Sequence, residues 1–349
     1  MRAQIAQLAA LVMHGNARLD YGHDPAGLVG HSTTDLCDSI TFCDATDRTM
    51  PLTAESVGDW LDSHDASHTL YLQLHHHPAS RLMVGDRMLE GFVNTGGRWL
   101  IEQCHGFRSD LWESNWEPAG ERWLVEYGRI QAAMPALPID TEPLEPLGDR
   151  LLEVVRRLQE LAADNDLPDF ADRFEQAVQC LEDPDPPEPP TYPDLAPIGL
   201  LSVEARQLLS AIDAAWVFAA EDSWNDAAIT KRVTEYEPLS DELYRLLTRG
   251  LCAVTNSTAV PLRAGDGERF PFERARLLKR HAKRRLDSLI IRNRTCLPPS
   301  ANRRRSTCAL RHRPRRGANR GGRTRRGRAR SGCRAGRMRG RPARPGRCP

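Results

Sequence analysis

Five histidines lie within fourteen residues of this chain and offer side chains that could bind a metal ion. His64 and His68 have the i, i+4 spacing that places two imidazoles on one face of a helix, as in zinc motifs. In the strand expected next, alternation puts His75 and His77 on one side. The spacing predicts a metal-dependent hydrolase site built from His64, His68 and either His75 or His77. The alternative is that these histidines are only solvated.

Two glutamates of a predicted β-hairpin could act as a general acid and base. If Trp116 lies opposite Trp123, then Glu113 lies opposite Glu126, with their Cβ atoms within about 5 Å. Paired carboxylates of this kind split their pKa values. The alternative is an exposed, mildly repulsive pair that Arg98 neutralises. The other face of the same hairpin would collect core side chains: Trp112, Ser114, Trp116, Trp123, Val125 and Tyr127.

A short polar segment, residues 223–226, surrounds a single tryptophan after an apolar helix. These side chains either line a groove for a partner or close the helix, with Trp224 folded back onto it. The second interpretation is favoured, because a tryptophan buries a large apolar area.

Charge is distributed very unevenly along the chain. Residues 288–349 hold 21 arginines and no lysine, aspartate or glutamate, a formal charge of +21. Residues 1–287 hold 27 basic and 47 acidic side chains, a net charge of −20. The basic tail could contact phosphates without sequence preference, since it has no aromatic side chain to stack on bases. Its candidate nucleic-acid-binding residues are Arg303, Arg304, Arg305, Arg315 and Arg316.

The composition of this tail has a second explanation. From Asn293 onward it contains no acidic, β-branched aliphatic or aromatic residue. Out-of-frame translation of GC-rich coding DNA gives the same set of residue types. Binding to nucleic acid is therefore expected only if the tail is genuinely translated. In either case we expect the tail to be disordered, because it cannot bury enough apolar surface to offset the entropy of ordering.

The sequence lacks the motifs of several enzyme classes. Its glycines do not form a phosphate loop, it has no Gly-x-Ser-x-Gly elbow, and no Cys–His pair stands out, so we expect no cofactor. No run of 18 apolar residues predicts a membrane span. An odd, scattered set of cysteines fits reduced thiols of a cytoplasmic protein: Cys37, Cys43, Cys104, Cys180 and Cys252.

Periodicity divides the chain into five segments. Residues 1–135 predict an α+β fold, an antiparallel β-meander with flanking helices. Residues 136–182 predict an α-helical hairpin, and residues 183–197, with seven prolines, an extended linker. A helical segment follows over residues 198–260. Residues 288–349 form the disordered Arg-rich tail.

Finer signals place the elements of these segments. Ile5, Leu8 and Leu11 share one face of an N-terminal amphipathic helix. Thr53, with Glu55 in the first turn, predicts the start of a second helix. After the helical hairpin, Ser202 is expected to cap another helix, and a last one is expected over residues 238–254. Strands are expected at residues 39–43, 69–75, 88–94, 98–104, 110–117 and 122–130.

Taken together, these features favour a non-enzymatic protein-interaction module. The negative charge of the body disfavours nucleic acid and favours a basic protein partner. Two alternatives remain open at this point: nucleic-acid binding through the Arg-rich tail, and metal-dependent hydrolysis by the histidine cluster.

Overall fold

The computed structural model shows an α+β fold in which one mixed sheet is covered by helices. It describes residues 1–22, 28–46, 53–64, 67–75, 86–90, 97–136, 142–218 and 222–259. No helix in these ranges is long and apolar enough to cross a bilayer. The helices are α1 (Ala3–Tyr21), α2 (Val57–Asp62), α3 (Asp86–Leu89), α4 (Leu144–Asp164), α5 (Pro168–Glu182), α6 (Val203–Ala214) and α7 (Val233–Asn256).

Five strands form the sheet in the order β1-β5-β4-β3-β2. Strands β2 to β5 make the predicted antiparallel meander. Strand β1 instead pairs in parallel with β5, so the prediction of a purely antiparallel sheet is wrong. Alternation along a strand reveals its faces but not its direction, and parallel partners need a long crossover connection. The strands are β1 (Cys37–Cys43), β2 (His68–His75), β3 (Arg98–His105), β4 (Arg108–Ala119) and β5 (Arg122–Pro135).

Two local predictions are corrected by the structure. Helix α2 is capped by Ser56, whose Oγ accepts from Asp59 N at 3.1 Å. The predicted cap, Thr53, instead donates its hydroxyl to Phe42 O on β1 at 2.9 Å. The strand predicted at residues 88–94 begins inside α3, and residues 91–94 lie outside the described residues.

Helix α1 is buried on all sides rather than on one face. Its side chains from Ile5 to Met13 are at most 1 % exposed, including Gln7, whose side chain accepts from Tyr127 OH at 2.8 Å. A helix that is apolar all round belongs in the interior of a fold. Side chains of α1, the sheet and α4 to α7 accordingly belong to one hydrophobic cluster.

The predicted helical hairpin is confirmed by α4 and α5, and the predicted Ser202 cap by α6. The proline-rich segment between them, residues 183–197, lies against α6 through hydrogen bonds. Ser210 Oγ donates to Pro187 O at 2.5 Å, and Thr191 N donates to Asp213 at 2.6 Å. The segment therefore packs on the body instead of spanning a gap.

Candidate functional site

The register of the β4–β5 hairpin differs from the predicted one by two residues. Trp116 lies opposite Val125 rather than Trp123. The strands continue to Ala119 and Arg122, and the turn has only two residues, with Gly120 at a φ of 69°. Because side chains alternate with a period of two, this shift changes partners but not faces. Of the predicted core face, Trp112, Ser114, Trp116, Val125 and Tyr127 are buried, whereas Trp123 is only half-buried against the core.

The same register separates the two glutamates that were predicted to pair. Glu113 lies opposite Gly128, and Glu126 opposite Asn115. Glu113 is instead held by Arg98 on β3, with Nε–Oε1 and Nη2–Oε2 distances of 2.5 and 2.6 Å. The predicted Glu113–Glu126 pairing is wrong, and the Arg98 contact gives Glu113 a structural partner across the sheet.

The predicted histidine group is only partly assembled. His64 and His68 lie together, with ring centroids 5.0 Å apart. His75 occupies the opposite end of β2, about 23 Å from His68 at the usual rise per residue. His77 lies outside the described residues. The structure brings in His105 instead, whose ring stacks on that of His68 at 4.7 Å, because β2 and β3 pair these two residues.

This trio, His64, His68 and His105, does not have the arrangement of a metal centre. His68 and His105 are stacked at 14°, so their ring nitrogens do not converge on a point between them. The Nδ1 of His64 is directed at Trp60 O, 2.5 Å away. Burial lowers the pKa of His64. No three His, Cys, Asp or Glu side chains in the described ranges could hold a metal ion.

Arg87 and the segment around Trp224 join α3 to the start of α7. Arg87 is 3 % exposed and contacts Glu237 at 2.5 Å and Asp241 at 2.9 Å. Trp224 is fully buried, and its Nε1 donates to Ser240 Oγ at 2.8 Å. The predicted burial of Trp224 is confirmed, and its ring packs against Phe170 and Phe174 on α5 and Tyr236 on α7.

Glu90 is the described carboxyl group whose surroundings are most unlike water. It is fully buried, accepts from Tyr244 OH at 2.9 Å, and pairs with Arg2 at 3.0 Å. Desolvation raises the pKa of Glu90 to about 7 in spite of the nearby Arg2. A shifted carboxyl group is a candidate catalyst when it lies in a cleft. Glu90 is instead enclosed by its partners Arg2 and Tyr244.

Helix α5 carries an acidic surface. Between Arg157 and Arg206 the chain has twelve carboxylates and a single cation, Arg173. That guanidinium turns inward and donates to Ala214 O at 3.1 Å and Trp216 O at 2.8 Å. Arg173 therefore does not neutralise the exposed carboxylates of α5.

Four exposed residues form what we call the acidic stripe: Asp169, Asp172, Glu175 and Glu182. They line one side of α5 because the opposite side, with Phe174, buries the apolar residues of this amphipathic helix. Glu182 pairs with Arg156 on α4. The other three have no ion-pair partner in the described part of the chain. Sequence reasoning found the overall charge of the body but not this concentration of it.

The candidate nucleic-acid-binding residues Arg303, Arg304, Arg305, Arg315 and Arg316 lie outside the described residues. No family model matches the chain, and no curated protein or solved structure is detectably similar to it. Its function must therefore be inferred from the residues of this chain.

Proposed function

We propose that the α+β body is a non-enzymatic protein-binding module, and that its partner presents a basic surface to the acidic stripe. The stripe is the observation that carries this proposal. Its side chains are exposed on a rigid helix, and Asp169, Asp172 and Glu175 are not neutralised by described cations. Such a surface attracts positive charge and disfavours negatively charged partners.

The net charge of residues 1–259 also favours a basic partner. Residues 1–259 contain 43 acidic and 18 basic side chains, a formal net charge of −25. A field of this size speeds the encounter with a cationic partner and weakens with added salt. It also repels nucleic acid, which leaves a protein as the favoured class of partner for the body.

The buried ionisable groups fit a structural rather than a catalytic role. Glu90 is enclosed by Arg2 and Tyr244. Asp44, whose pKa is lowered to about 2 chiefly by its hydrogen bond with Arg129, helps hold β5 to the end of β1. Both groups act within the fold, and the surface charge remains the feature that faces a partner.

A binding experiment with the full chain tests this proposal. The probe is a fluorescent peptide with the sequence Lys-Lys-Ser-Lys-Lys, titrated at low ionic strength and followed by anisotropy. The variant Asp169→Asn/Asp172→Asn/Glu175→Gln removes three exposed charges without changing side-chain volume. We expect it to weaken binding about fivefold or more, as for several rim charges lost together.

A matched control makes the result specific to the acidic stripe. Glu145, Asp149 and Glu153 are exposed acids on helix α4, so Glu145→Gln/Asp149→Asn/Glu153→Gln changes the net charge equally on a neighbouring helix. We expect this control variant to lose less than half as much affinity for the peptide as the acidic-stripe variant loses. Equal losses would reduce the effect to net charge, and no binding of the peptide to the wild-type chain would reject the proposal.

A second candidate function rests on the tail. Residues 288–349 hold 21 arginines and no acidic residue, and such a segment binds phosphate backbones through counterion release. This activity would belong to the tail alone, and it can be separated from peptide binding by the body through its dependence on the tail arginines.

A further inference from the structure

A small pocket with a mixed lining, in which apolar side chains predominate, lies between the proline-rich segment and α6. Its walls include Pro189, Pro197, Ile198, Leu201 and Leu209, and its volume is about 20 Å³. A space of this size holds little more than one water-sized group. It therefore has room for the terminal methyl group of one aliphatic side chain and not for a small-molecule cofactor.

The walls of the pocket are held in place before any partner arrives. Ser210 Oγ donates to Pro187 O at 2.5 Å, and Gln207 Nε2 donates to Asp183 O at 2.7 Å. At the opposite wall, Leu200 N donates to Pro197 O at 3.1 Å, in a turn where Gly199 adopts a φ of 75°. Binding would not have to pay for ordering these segments.

Ile198, at the rim of the pocket, is an unusually exposed apolar residue. Ile198 is 95 % exposed, the highest value among the large apolar side chains that the structure describes. Because it sits beside the apolar walls, a side chain entering the pocket would cover it as well. The pocket and Ile198 together form an apolar contact area on the surface.

The surroundings of this area are acidic. Glu188 lines the pocket, and Asp183 and Glu204 are exposed nearby along the segment and α6. The one cation in the lining, Arg206, has its guanidinium 3.3 Å from Asp185. Charge complementarity therefore calls for positive residues on either side of the apolar side chain that enters.

We infer that this pocket is the anchor site for one aliphatic side chain within an otherwise basic peptide segment of the partner. The inference rests on the proposed function and adds to it the kind of segment that is recognised. The acidic residues around the pocket supply attraction, and the pocket beside Ile198 supplies selectivity for a basic segment that contains a leucine or a similar residue.

Two matched peptides test the anchor with the full chain. The peptide Lys-Lys-Leu-Lys-Lys is compared with Lys-Lys-Ser-Lys-Lys on the wild-type chain, on Ile198→Ser and on Val233→Ser. Val233 is 57 % exposed on α7 and serves as the control. Both substitutions are on the surface, so the fold is retained, and thermal unfolding verifies this.

We expect the leucine peptide to bind the wild-type chain about tenfold more tightly than the serine peptide, from partial burial of one leucine. Ile198→Ser should abolish this preference, and Val233→Ser should keep it. Equal affinities for the wild-type chain, or an unchanged preference in Ile198→Ser, would overturn the inference.

Other results of the same experiment distinguish a failure of the proposed function from a failure of the anchor site. They also distinguish an external peptide from the chain's own tail as the occupant of the pocket. If the serine peptide does not bind at all, the proposed function itself fails. If it binds but leucine adds nothing, only the anchor fails. The chain's own tail also has a leucine beside an arginine, Leu310 before Arg311. If Leu310→Ser binds the leucine peptide more tightly than the wild type does, the tail occupies the pocket, and the external partner is overturned.

Discussion

Asn16 on α1 and Asn256 on α7 together pair with the free edge of β2. The amide of Asn16 donates to Leu70 O and its oxygen accepts from Leu70 N, both at 2.9 Å. Asn256 does the same with Leu72, at 3.0 and 2.7 Å. Two side chains thus take the place of a sixth strand. Exposed strand edges promote association between chains, so this arrangement protects the sheet.

Removing one of these amides should weaken the fold and expose the edge. For Asn256→Ala we expect a loss of about 2 to 4 kcal/mol in the free energy of unfolding, because Leu72 would keep a buried N–H and C=O without their partner. Urea unfolding measures the loss, and size-exclusion chromatography detects self-association. The control, Asn115→Ala, changes an exposed asparagine in β4 and should cost less than about 0.5 kcal/mol. Similar losses for both variants would contradict this role for Asn256.

Local sequence patterns predicted the helices and strands better than they predicted which strands pair. The α-helical hairpin predicted over residues 136–182 is present as α4 and α5. The strand at β1 was also predicted, but its parallel pairing with β5 depends on residues more than 80 positions away. Nothing in a local alternation of side chains specifies such a partner.

In the candidate site, too, local features were predicted and long-range partners were not. His64 and His68 were predicted to lie together and do so, whereas His105 joins them only through the pairing of β2 with β3. The separation of Glu113 from Glu126 depends on the two-residue turn at Gly120, which the sequence also allowed to be longer. Errors of this kind change partners while keeping the buried face, because the period of a strand is two.

Glu90 should make stability fall as the pH rises. Its pKa is raised from 4.5 to about 7 in the fold, so folding favours the protonated form. The stabilisation is fully present below pH 4.5 and is lost as the pH rises through 7, by about 3 kcal/mol in total. Glu90→Gln mimics the protonated carboxyl group. The variant should therefore gain stability over the wild type as the pH rises, in urea unfolding measured from pH 4 to 8. A difference that does not vary with pH would disprove the assignment.

His64 should respond to pH in the opposite direction. Burial lowers its pKa below 6.5, so the fold favours the neutral ring. The corresponding stabilisation is present above pH 6.5 and is lost as the pH falls through the lowered pKa. NMR titration of the ring protons measures this pKa directly, with His64→Gln identifying the resonance. A midpoint at or above 6.5 would show that burial does not dominate at this position.

The Arg-rich tail makes the last prediction, which concerns salt. Replacing Arg303, Arg304, Arg305, Arg315 and Arg316 with glutamine removes five of its 21 charges. If each contacts a phosphate, the slope of log affinity for single-stranded DNA against log salt should become shallower by about 3.5. Changing five arginines of the body, such as Arg156, should leave the slope unchanged. Wild-type binding that does not change between about 50 and 200 mM salt would rule out a phosphate-binding tail.

Reading the coding DNA in its other two frames across the tail decides separately whether the segment is genuine. A frame that continues with acidic and aromatic residues would identify the tail as a product of frameshift.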